Sequence, residues 1–246
     1  YVQYLDNPNL KIPKDQFFNL IDICNFMNSD DPAKKAQRGP EGVNYMPVKN
    51  FFVPTVSKEE IVKRGWMSAE DTARLSTDMK FTFPKNGATK SDIAVMNIIA
   101  AVARDGWKRP LYFDAGLRQG DYAGTGEYMR LEGMVNRLMP FKVNDSVKVN
   151  YSITGSLDTK KSYDLFMKTF TFGGADRNDV YFDEPNRHVL ITYRMNAASL
   201  ANQLVADGQR EKALQVLDKV YNGISDRSYP YSYEYSGYFM ATAYYR

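Results

Sequence analysis

One segment limits the possible folds more than any other: TKSDIAVMNIIAAVARDG, residues 89–106, which is amphipathic and ends abruptly. Apolar side chains recur along it at the spacing of one helix face: Ile93, Met96, Ile99 and Ala103. This period predicts a helix that buries one face, and Gly106 is expected to end it. The residues LYF follow Pro110, which is tolerated at the start of a strand, so a short apolar strand is predicted over 110–113.

Between this helix and this strand stand Trp107, Lys108 and Arg109. In a mechanical interpretation, the indole of Trp107 packs over the junction, and Pro110 forces Arg109 into an extended conformation. The alternative is a catalytic or anion-binding loop, in which Arg109 would pair with a carboxylate or another anion. The residues favour the mechanical interpretation and leave the second one open.

Another apolar strand is predicted before the helix. Met79, Phe81 and Phe83 alternate with polar residues in DMKFTFP, residues 78–84, as in a half-buried strand. Strand, helix and strand within about 35 residues are typical of a βαβ unit, which indicates an α/β (α+β) fold with a small mixed sheet and flanking helices. Asp114 follows the second strand, at the edge where ligands bind in open α/β sheets. Its alternative role is to bond the amides of its own turn.

Local signals predict further elements on either side of this unit. Before it they are a helix over 14–28 after Pro13, a loop over 30–42, an edge or irregular strand over 44–56 broken by Pro47 and Pro54, and a short helix opened by Ser57 and stopped by Gly65. After it they are a glycine turn and a short helical segment at 128–131, a strand over 133–141, and a short helix leading into a glycine turn over 162–174. None of the glycine clusters matches a phosphate-binding loop, since no Lys-Ser or Lys-Thr pair follows them.

The last third of the chain changes character. Residues 194–223 predict two amphipathic helices joined near Gly208. Five residues fall at the spacing of a tetratricopeptide repeat: Ala201, Leu204, Gly208, Ala213 and Leu217. A second repeat would begin near Tyr235 and Tyr238 and be cut off by the chain end. The predicted domains are an α/β soluble domain over 1–189 and an all-α tetratricopeptide-like helical segment over 190–246.

Composition argues against several classes of function. The formal charge is only +3 and the Lys and Arg residues are scattered, so nucleic acid is not an expected partner. Cys24 and His188 are the single residues of their types, so an internal disulfide is excluded and neither a zinc site nor a histidine-based triad is expected. Cys24 is expected to be a small buried hydrophobe. The longest nearly apolar run, residues 93–103, is about half of what a bilayer span needs. No cofactor and no metal are predicted.

Two stretches, DGWKRPLYFDAG and GEYMRLEGMVNRLMPFK, together resemble one family. It is the soluble C-terminal part of large multi-pass bacterial membrane proteins of unknown function, which are similar to the vertebrate transmembrane O-mannosyltransferase. The order of the segments NYMPVKNFFVPT, KSDIAVMNIIA, FMKTFTFGG and ASLANQLVADGQREKALQVLDK also fits, so the resemblance spans roughly residues 43–222. The Trp-Lys-Arg-Pro and Leu-Glu-Gly pieces are its most specific parts.

The resemblance implies a membrane-embedded glycosyltransferase body that uses a lipid-linked sugar, with this soluble part outside the cytoplasm on the periplasmic face. The catalytic carboxylate is then expected in the membrane part, so no catalytic residue is assigned to this chain. The expected role is a non-catalytic domain that recognises an acceptor protein or glycan, or supports the membrane body of the same polypeptide. Its candidate binding residues are Trp107, Arg109, Asp114, Tyr128, Glu132, Tyr235 and Tyr238.

Two other functions are open on the sequence alone. One is an enzyme in its own right, with Arg109, Asp114, Tyr128 and Glu132 around a ligand at the carboxyl edge of the sheet. The other is a free-standing scaffold protein that binds partners through the repeat helices. Convergence of the four side chains on a ligand-sized pocket would favour the enzyme.

Overall fold

The structure is a computed structural model that describes residues 2–5, 12–13, 15–37, 41–115, 122–143, 148–150, 153–232 and 235–246. The chain packs into two compact units that are interleaved along the sequence. The first unit contains Tyr1–Leu111, Arg118–Met129 and Leu138–Ser146, and the second contains Tyr112–Leu117, Arg130–Arg137 and Val147–Arg246. The predicted fold class is confirmed: small sheets and helices form the N-terminal portion, and three helices form the C-terminal region. In the described ranges, no helix combines the length and the apolar character that crossing a bilayer requires.

The strands that the structure describes contain two to four residues each. They are β1 Val2–Gln3, β2 Phe18–Asn19, β3 Asn50–Val53, β4 Leu75–Ser76, β5 Met79–Thr82, β6 Gly87–Ala88, β7 Leu111–Asp114, β8 Met129–Glu132, β9 Val135–Leu138, β10 Lys142–Val143, β11 Lys148–Asn150, β12 Ile153–Thr154 and β13 Ser156–Leu157. The helices are α1 Leu20–Met27, α2 Lys58–Lys63, α3 Lys90–Arg104, α4 Thr159–Asp164, α5 Glu184–Ala206, α6 Arg210–Gly223 and α7 Ser236–Tyr244. A π-helical turn, Leu165–Thr169, continues α4.

The first unit is organised around a three-stranded sheet in the order β2-β3-β5. Phe51 of β3 lies opposite Phe81 of β5 in an antiparallel register, and their rings lie 5.8 Å apart between centroids. Helices α1 and α3 contact each other. Cys24 of α1 is buried as predicted, and burial raises the pKa of its thiol to about 11. A thiol with such a pKa is almost entirely protonated at neutral pH, which makes it a poor nucleophile.

Two predictions in this unit need correction. The strand over 44–56 was expected to be an edge or irregular strand, but it does not lie at an edge: β3 is the central strand of its sheet and is only four residues long. Both prolines lie outside it, because a proline cannot donate to the ladder and so limits its length. The helix expected over 14–28 begins only at Leu20, because Phe18–Asn19 pair with β3 and Asn19 then caps the helix, its Oδ1 accepting from the amide of Ile21 at 3.0 Å.

The predicted start and stop of α2 are confirmed. The Ser57 hydroxyl accepts from the amide of Glu60 at 3.3 Å, and Gly65 ends α2 with a φ angle of +65°. At the start of α3, Thr89 and Asp92 form a reciprocal capping box. The predicted βαβ unit is wrong, however, because β5 and β7 belong to different sheets. Helix and strand signals are local, whereas the choice of a pairing partner depends on the whole chain.

The second unit combines a sheet with helices. Strands β13, β8, β9 and β7 form a four-stranded sheet in that order, in which β13 runs parallel to β8. The helical segment expected at 128–131 is wrong: after a single 3₁₀ turn the chain enters β8, all four residues of which are buried. The strand expected over 133–141 is confirmed as β9. The predicted glycine turn is also present, with positive φ angles at Gly173 and Gly174.

The C-terminal helices pack through α5, which contacts both α6 and α7. The two predicted helices are confirmed, and Gly208, at a φ angle of +75°, makes the turn between them. Helix α5 begins at Glu184, ten residues earlier than the predicted segment, since Asp183 caps it there and its side chain accepts from the amide of Asn186. The assignment to tetratricopeptide repeats stays a prediction. So does the boundary between residues 189 and 190, because interleaved packing units do not test a division into consecutive domains.

Candidate functional site

The helix–strand junction is held by unusual backbone geometry and by two side chains. Gly106 and Trp107 both have positive φ angles, +67° and +57°, and this region costs a residue with a Cβ atom roughly 1 kcal/mol. The indole Nε1 of Trp107 donates to the carbonyl of Pro54 at 2.7 Å. Arg64 Nη1 donates to the carbonyls of Gly106 and Trp107 at 3.0 and 2.9 Å. The Trp107 side chain is buried, so it acts here as a structural anchor.

Replacing Trp107 with phenylalanine is expected to lower the free energy of unfolding by about 1–2 kcal/mol, because a smaller ring stays in the buried position while the hydrogen bond from the indole to the Pro54 carbonyl is lost. Urea unfolding followed by the fluorescence of Trp66, which the variant keeps in the same unit, measures the change. Tyr45→Phe is the control, since the Tyr45 hydroxyl makes no hydrogen bond in the described part of the chain. If the Trp107 variant were as stable as this control, the indole hydrogen bond would not be what anchors the junction.

The other predicted residues near the junction lie at the surface. The Arg109 side chain is 77% exposed, and its Nε lies 3.6 Å from the carboxylate of Asp105, the residue that follows α3. Such an exposed pair stabilises a protein by little, about 0–1 kcal/mol. Asp114 is an exposed residue at the end of β7. Arg109 belongs to the first unit and Asp114 to the second.

Tyr128 has a structural environment within the first unit. Its side chain is buried, and its hydroxyl accepts from the amide of Lys80 at 2.8 Å. The hydroxyl also lies within donating distance of the carbonyls of Lys80 and Asp78, at 2.9 and 3.1 Å. Burial raises the pKa of the phenol. These backbone contacts hold the hydroxyl against β5, so its hydrogen-bonding capacity is used by the fold.

Among the described carboxylates of the second unit, Glu132 is the most deeply enclosed, at 1% exposure. Its Oε1 accepts from Nε and Nη2 of Arg130 at 3.1 and 2.7 Å, and Arg137 Nη1 lies 3.7 Å away. Its Oε2 accepts from Lys161 Nζ and from the Tyr112 hydroxyl, the latter at 3.4 Å. We name these five residues the Glu132 cluster. Three strands and the first turn of α4 contribute to it.

The Glu132 cluster stabilises the ionised carboxylate. Burial by itself would raise the pKa of Glu132, but hydrogen bonds from Lys161 and Arg130 and the charges of both residues outweigh it, so the pKa is lowered. A general acid or base works best with a pKa near the operating pH. The carboxylate therefore suits a fixed counter-ion for the surrounding cations better than a proton-transfer group.

The glycine of the Leu-Glu-Gly piece has a packing reason. Gly133 follows β8 with a φ angle of +68°. A Cβ atom there would lie 2.8 Å from a ring carbon of Phe170 and 2.9 Å from a methyl carbon of Leu165. Its amide donates to the hydroxyl of the buried Ser162 at 2.9 Å. Glycine is thus required for the close approach of this turn to α4 and the π-helical turn.

A second group of cations lies on α4 and beyond it. Asp164 accepts from Lys168 Nζ at 2.6 Å, and this hydrogen bond and the charges of Lys168, Lys160 and Lys212 lower the pKa of its carboxyl group. An open groove of about 440 Å³ runs along this surface. We name it the lysine groove; it is lined by Asp158, Lys160, Lys161, Asp164, Leu165, Lys168 and Thr169.

Another open groove, of about 700 Å³, lies between the segment 170–174 and α6. The ring of Phe172 packs at its wall against Gly223, where a Cβ atom would come within 2.1 Å of the ring. The one lysine that lines this groove, Lys219, donates to the carbonyl of Met167 at 3.0 Å. The groove therefore presents fewer cations than the lysine groove.

The predicted tyrosines of the C-terminal segment are exposed. Tyr235 and Tyr238 are 79% and 65% exposed, at and near the start of α7. They are accessible to a partner, as an aromatic contact surface requires. His188 is an exposed residue of α5. Across the residues that the structure describes, no group of three or more His, Cys, Asp or Glu side chains is placed to hold a metal ion.

Of the four residues proposed around an enzyme site, Arg109 and Tyr128 lie in one unit and Asp114 and Glu132 in the other. Tyr112, two residues before Asp114, donates to Glu132. Sequence reasoning singled out Glu132 but missed its partners Tyr112, Arg130, Arg137 and Lys161. One signal was available, because Arg130 and Glu132 are two residues apart and so share one face of a strand.

Comparison with known proteins identifies the family. The model of TMEM260-associated domain 2 matches residues 1–161. The chain belongs to this family. The matched residues include β8, β9 and all five residues of the Glu132 cluster, whereas α5, α6 and α7 lie beyond the match. No curated protein and no solved structure matches the chain in the same comparisons.

Proposed function

We propose that the chain is a non-catalytic domain of a membrane-embedded, glycosyltransferase-like protein, that it lies outside the cytoplasm, and that it recognises a protein acceptor. The observation that carries this proposal is the family match over residues 1–161, which ties the chain to a TMEM260-like protein. The periplasmic location and the glycosyltransferase body follow from the resemblance described above. The membrane-embedded part of the same polypeptide is then the first partner of this domain.

The chemistry of the second unit agrees with a binding role. Glu132 is ionised and bonded to Lys161 and Arg130, so its carboxylate is a poor proton donor at neutral pH. The lysine groove is open, as suits contact with a large partner rather than enclosure of a small substrate. The exposed tyrosines, Tyr235 and Tyr238, add aromatic contact area of the kind that is enriched at protein interfaces.

Transfer assays on the parent protein test this proposal. The parent with this domain is compared with a version lacking it, and the isolated 246-residue chain is assayed alone with the same lipid-linked donor and protein acceptor. We expect no transfer by the isolated chain, and a higher KM for the acceptor in the version that lacks the domain. Sugar transfer by the isolated chain would falsify the non-catalytic role. An unchanged KM would exclude acceptor recognition.

A further inference from the structure

Among the residues that the structure describes, cations outnumber carboxylates around helix α4. In the Glu132 cluster, one carboxylate faces Arg130, Arg137 and Lys161. Further along α4, the charges of Lys168, Lys160 and Lys212 lower the pKa of the Asp164 carboxyl group. Asp158 adds one more carboxylate, 3.8 Å from Arg130. This small part of the second unit therefore carries a surplus of positive charge, although the whole chain has a formal charge of only +3.

Aromatic rings hold several of these cations at defined positions. Lys161 Nζ and Arg137 Cζ lie 6.0 and 5.9 Å from the centroid of the Tyr112 ring, which is 42% exposed. Lys212 Nζ lies 5.4 Å from the centroid of the Tyr163 ring. Cation–π contacts of this kind favour particular lysine rotamers, so part of the entropy lost on binding an anion is already lost in the free protein.

We propose that the lysine groove binds an acidic segment of a protein partner. This inference rests on the proposed role in protein recognition and names the chemistry of the partner. Carboxylates are the anions that these cations already bind within the chain, at Glu132 and at Asp164. An extended peptide can place further carboxylates beside Lys160 and Lys168 and an apolar side chain against Leu165.

The composition of the groove favours a peptide over a densely charged phosphate surface. Asp158 and Asp164 line the groove together with three lysines, so it presents negative as well as positive groups. Such a mixture of charges repels a continuous layer of phosphates but accepts carboxylates that are spaced by neutral residues. The walls also include Leu165 and Thr169, which offer apolar contact and a hydroxyl to a peptide.

Fluorescence anisotropy tests the proposal with the 246-residue chain. The probe is a fluorescein-labelled peptide that repeats Glu-Ser-Leu-Glu, and its comparison peptide carries Gln in place of Glu. We expect the acidic peptide to bind with at least about tenfold higher affinity than the neutral one. We also expect its affinity to fall as salt is raised, since the groove is exposed to solvent.

Charge reversal locates the binding. The double variant Lys160→Glu with Lys168→Glu, at two lysines that line the groove, is expected to lower the affinity for the acidic peptide by about tenfold or more. The matched control is Lys58→Glu with Lys63→Glu, which changes the net charge equally at two exposed lysines of the first unit. Far-UV circular dichroism confirms that both variants fold. Equal losses in the two variants, or equal binding of the Gln peptide, would overturn the proposal.

Two further experiments distinguish binding of an acidic peptide from binding of a lipid surface, and test this inference separately from the proposed function. Vesicles of phosphatidylglycerol are tested with the same variants, and groove-dependent binding of vesicles without peptide binding would overturn the proposal in favour of a lipid surface. Crosslinking in the parent protein then compares the wild type with the groove variant. A protein partner that stays crosslinked to the groove variant would leave the proposed function standing and refute only the acidic-segment inference. The absence of any crosslinked partner in the wild type would count against the proposed function itself.

Discussion

Replacing Arg194 with alanine is expected to lower the free energy of unfolding of the second unit by about 3 kcal/mol, whereas replacing it with methionine should lower it by less than about 1 kcal/mol. Arg194 of α5 is completely buried. Its Nη2 donates to the carbonyl of Tyr229 at 2.7 Å, and its guanidinium carbon lies 3.8 Å from the centroid of the Tyr231 ring. Alanine would leave a cavity in this position, while methionine keeps most of the volume.

The charge of Arg194 explains why methionine is expected to be tolerated. Its Nε and Nη1 atoms find no hydrogen-bond acceptor among the residues described, and burial lowers its pKa. A buried cation with unsatisfied donors carries a desolvation penalty that an apolar side chain of similar size avoids. What methionine loses is the hydrogen bond to Tyr229 and the stacking on Tyr231, which together are worth a few kcal/mol at most.

Urea unfolding distinguishes these outcomes, because the two units can be followed separately. Both tryptophans, Trp66 and Trp107, lie in the first unit, so their fluorescence monitors that unit. Far-UV circular dichroism is dominated by helices, and the three long C-terminal helices make it sensitive to the second unit. Arg177→Met, at an exposed position, is the control. A methionine variant as unstable as the alanine variant would show that the charge itself is required.

The local parts of the fold could be predicted from the sequence because their causes lie within a few residues. The helix start at Ser57 and the glycine stops at Gly65 and Gly208 depend only on neighbouring backbone groups. The error at 44–56 had a different origin. Prolines there limit how long β3 can be, but nothing nearby indicates that β3 has a partner on both sides.

The candidate site could be predicted only in part for the same reason. Glu132 could be predicted as a candidate because it lies in the Leu-Glu-Gly piece. Its counter-ions, however, come from β9 and from α4 as well as from its own strand. The pairing of β13 beside β8 is parallel, and it places Leu157 opposite Leu131 just before α4 begins. The position of Lys161 thus follows from a strand pairing of residues about 25 apart, which no local pattern encodes.

Within the Glu132 cluster, the largest effect on stability is expected from removing the charge of the Glu132 carboxylate. Glu132→Gln is expected to lower the free energy of unfolding by about 3 kcal/mol at neutral pH, because it leaves Arg130, Arg137 and Lys161 facing a neutral amide. Glu127→Gln is the matched control. Its carboxylate is 58% exposed and pairs with Lys142, so its loss should change the stability by less than about 1 kcal/mol.

The dependence on pH separates loss of charge from loss of packing. Because the pKa of Glu132 in the folded chain lies below its unfolded value of about 4.3, its contribution is complete above that pH and disappears as the pH falls through the folded pKa. The free energy of unfolding of the wild type should therefore fall more steeply on acidification than that of Glu132→Gln, and the two curves should converge. Parallel curves would mean that the variant loses packing rather than charge, and the Glu132 cluster would then not depend on the ionised carboxylate.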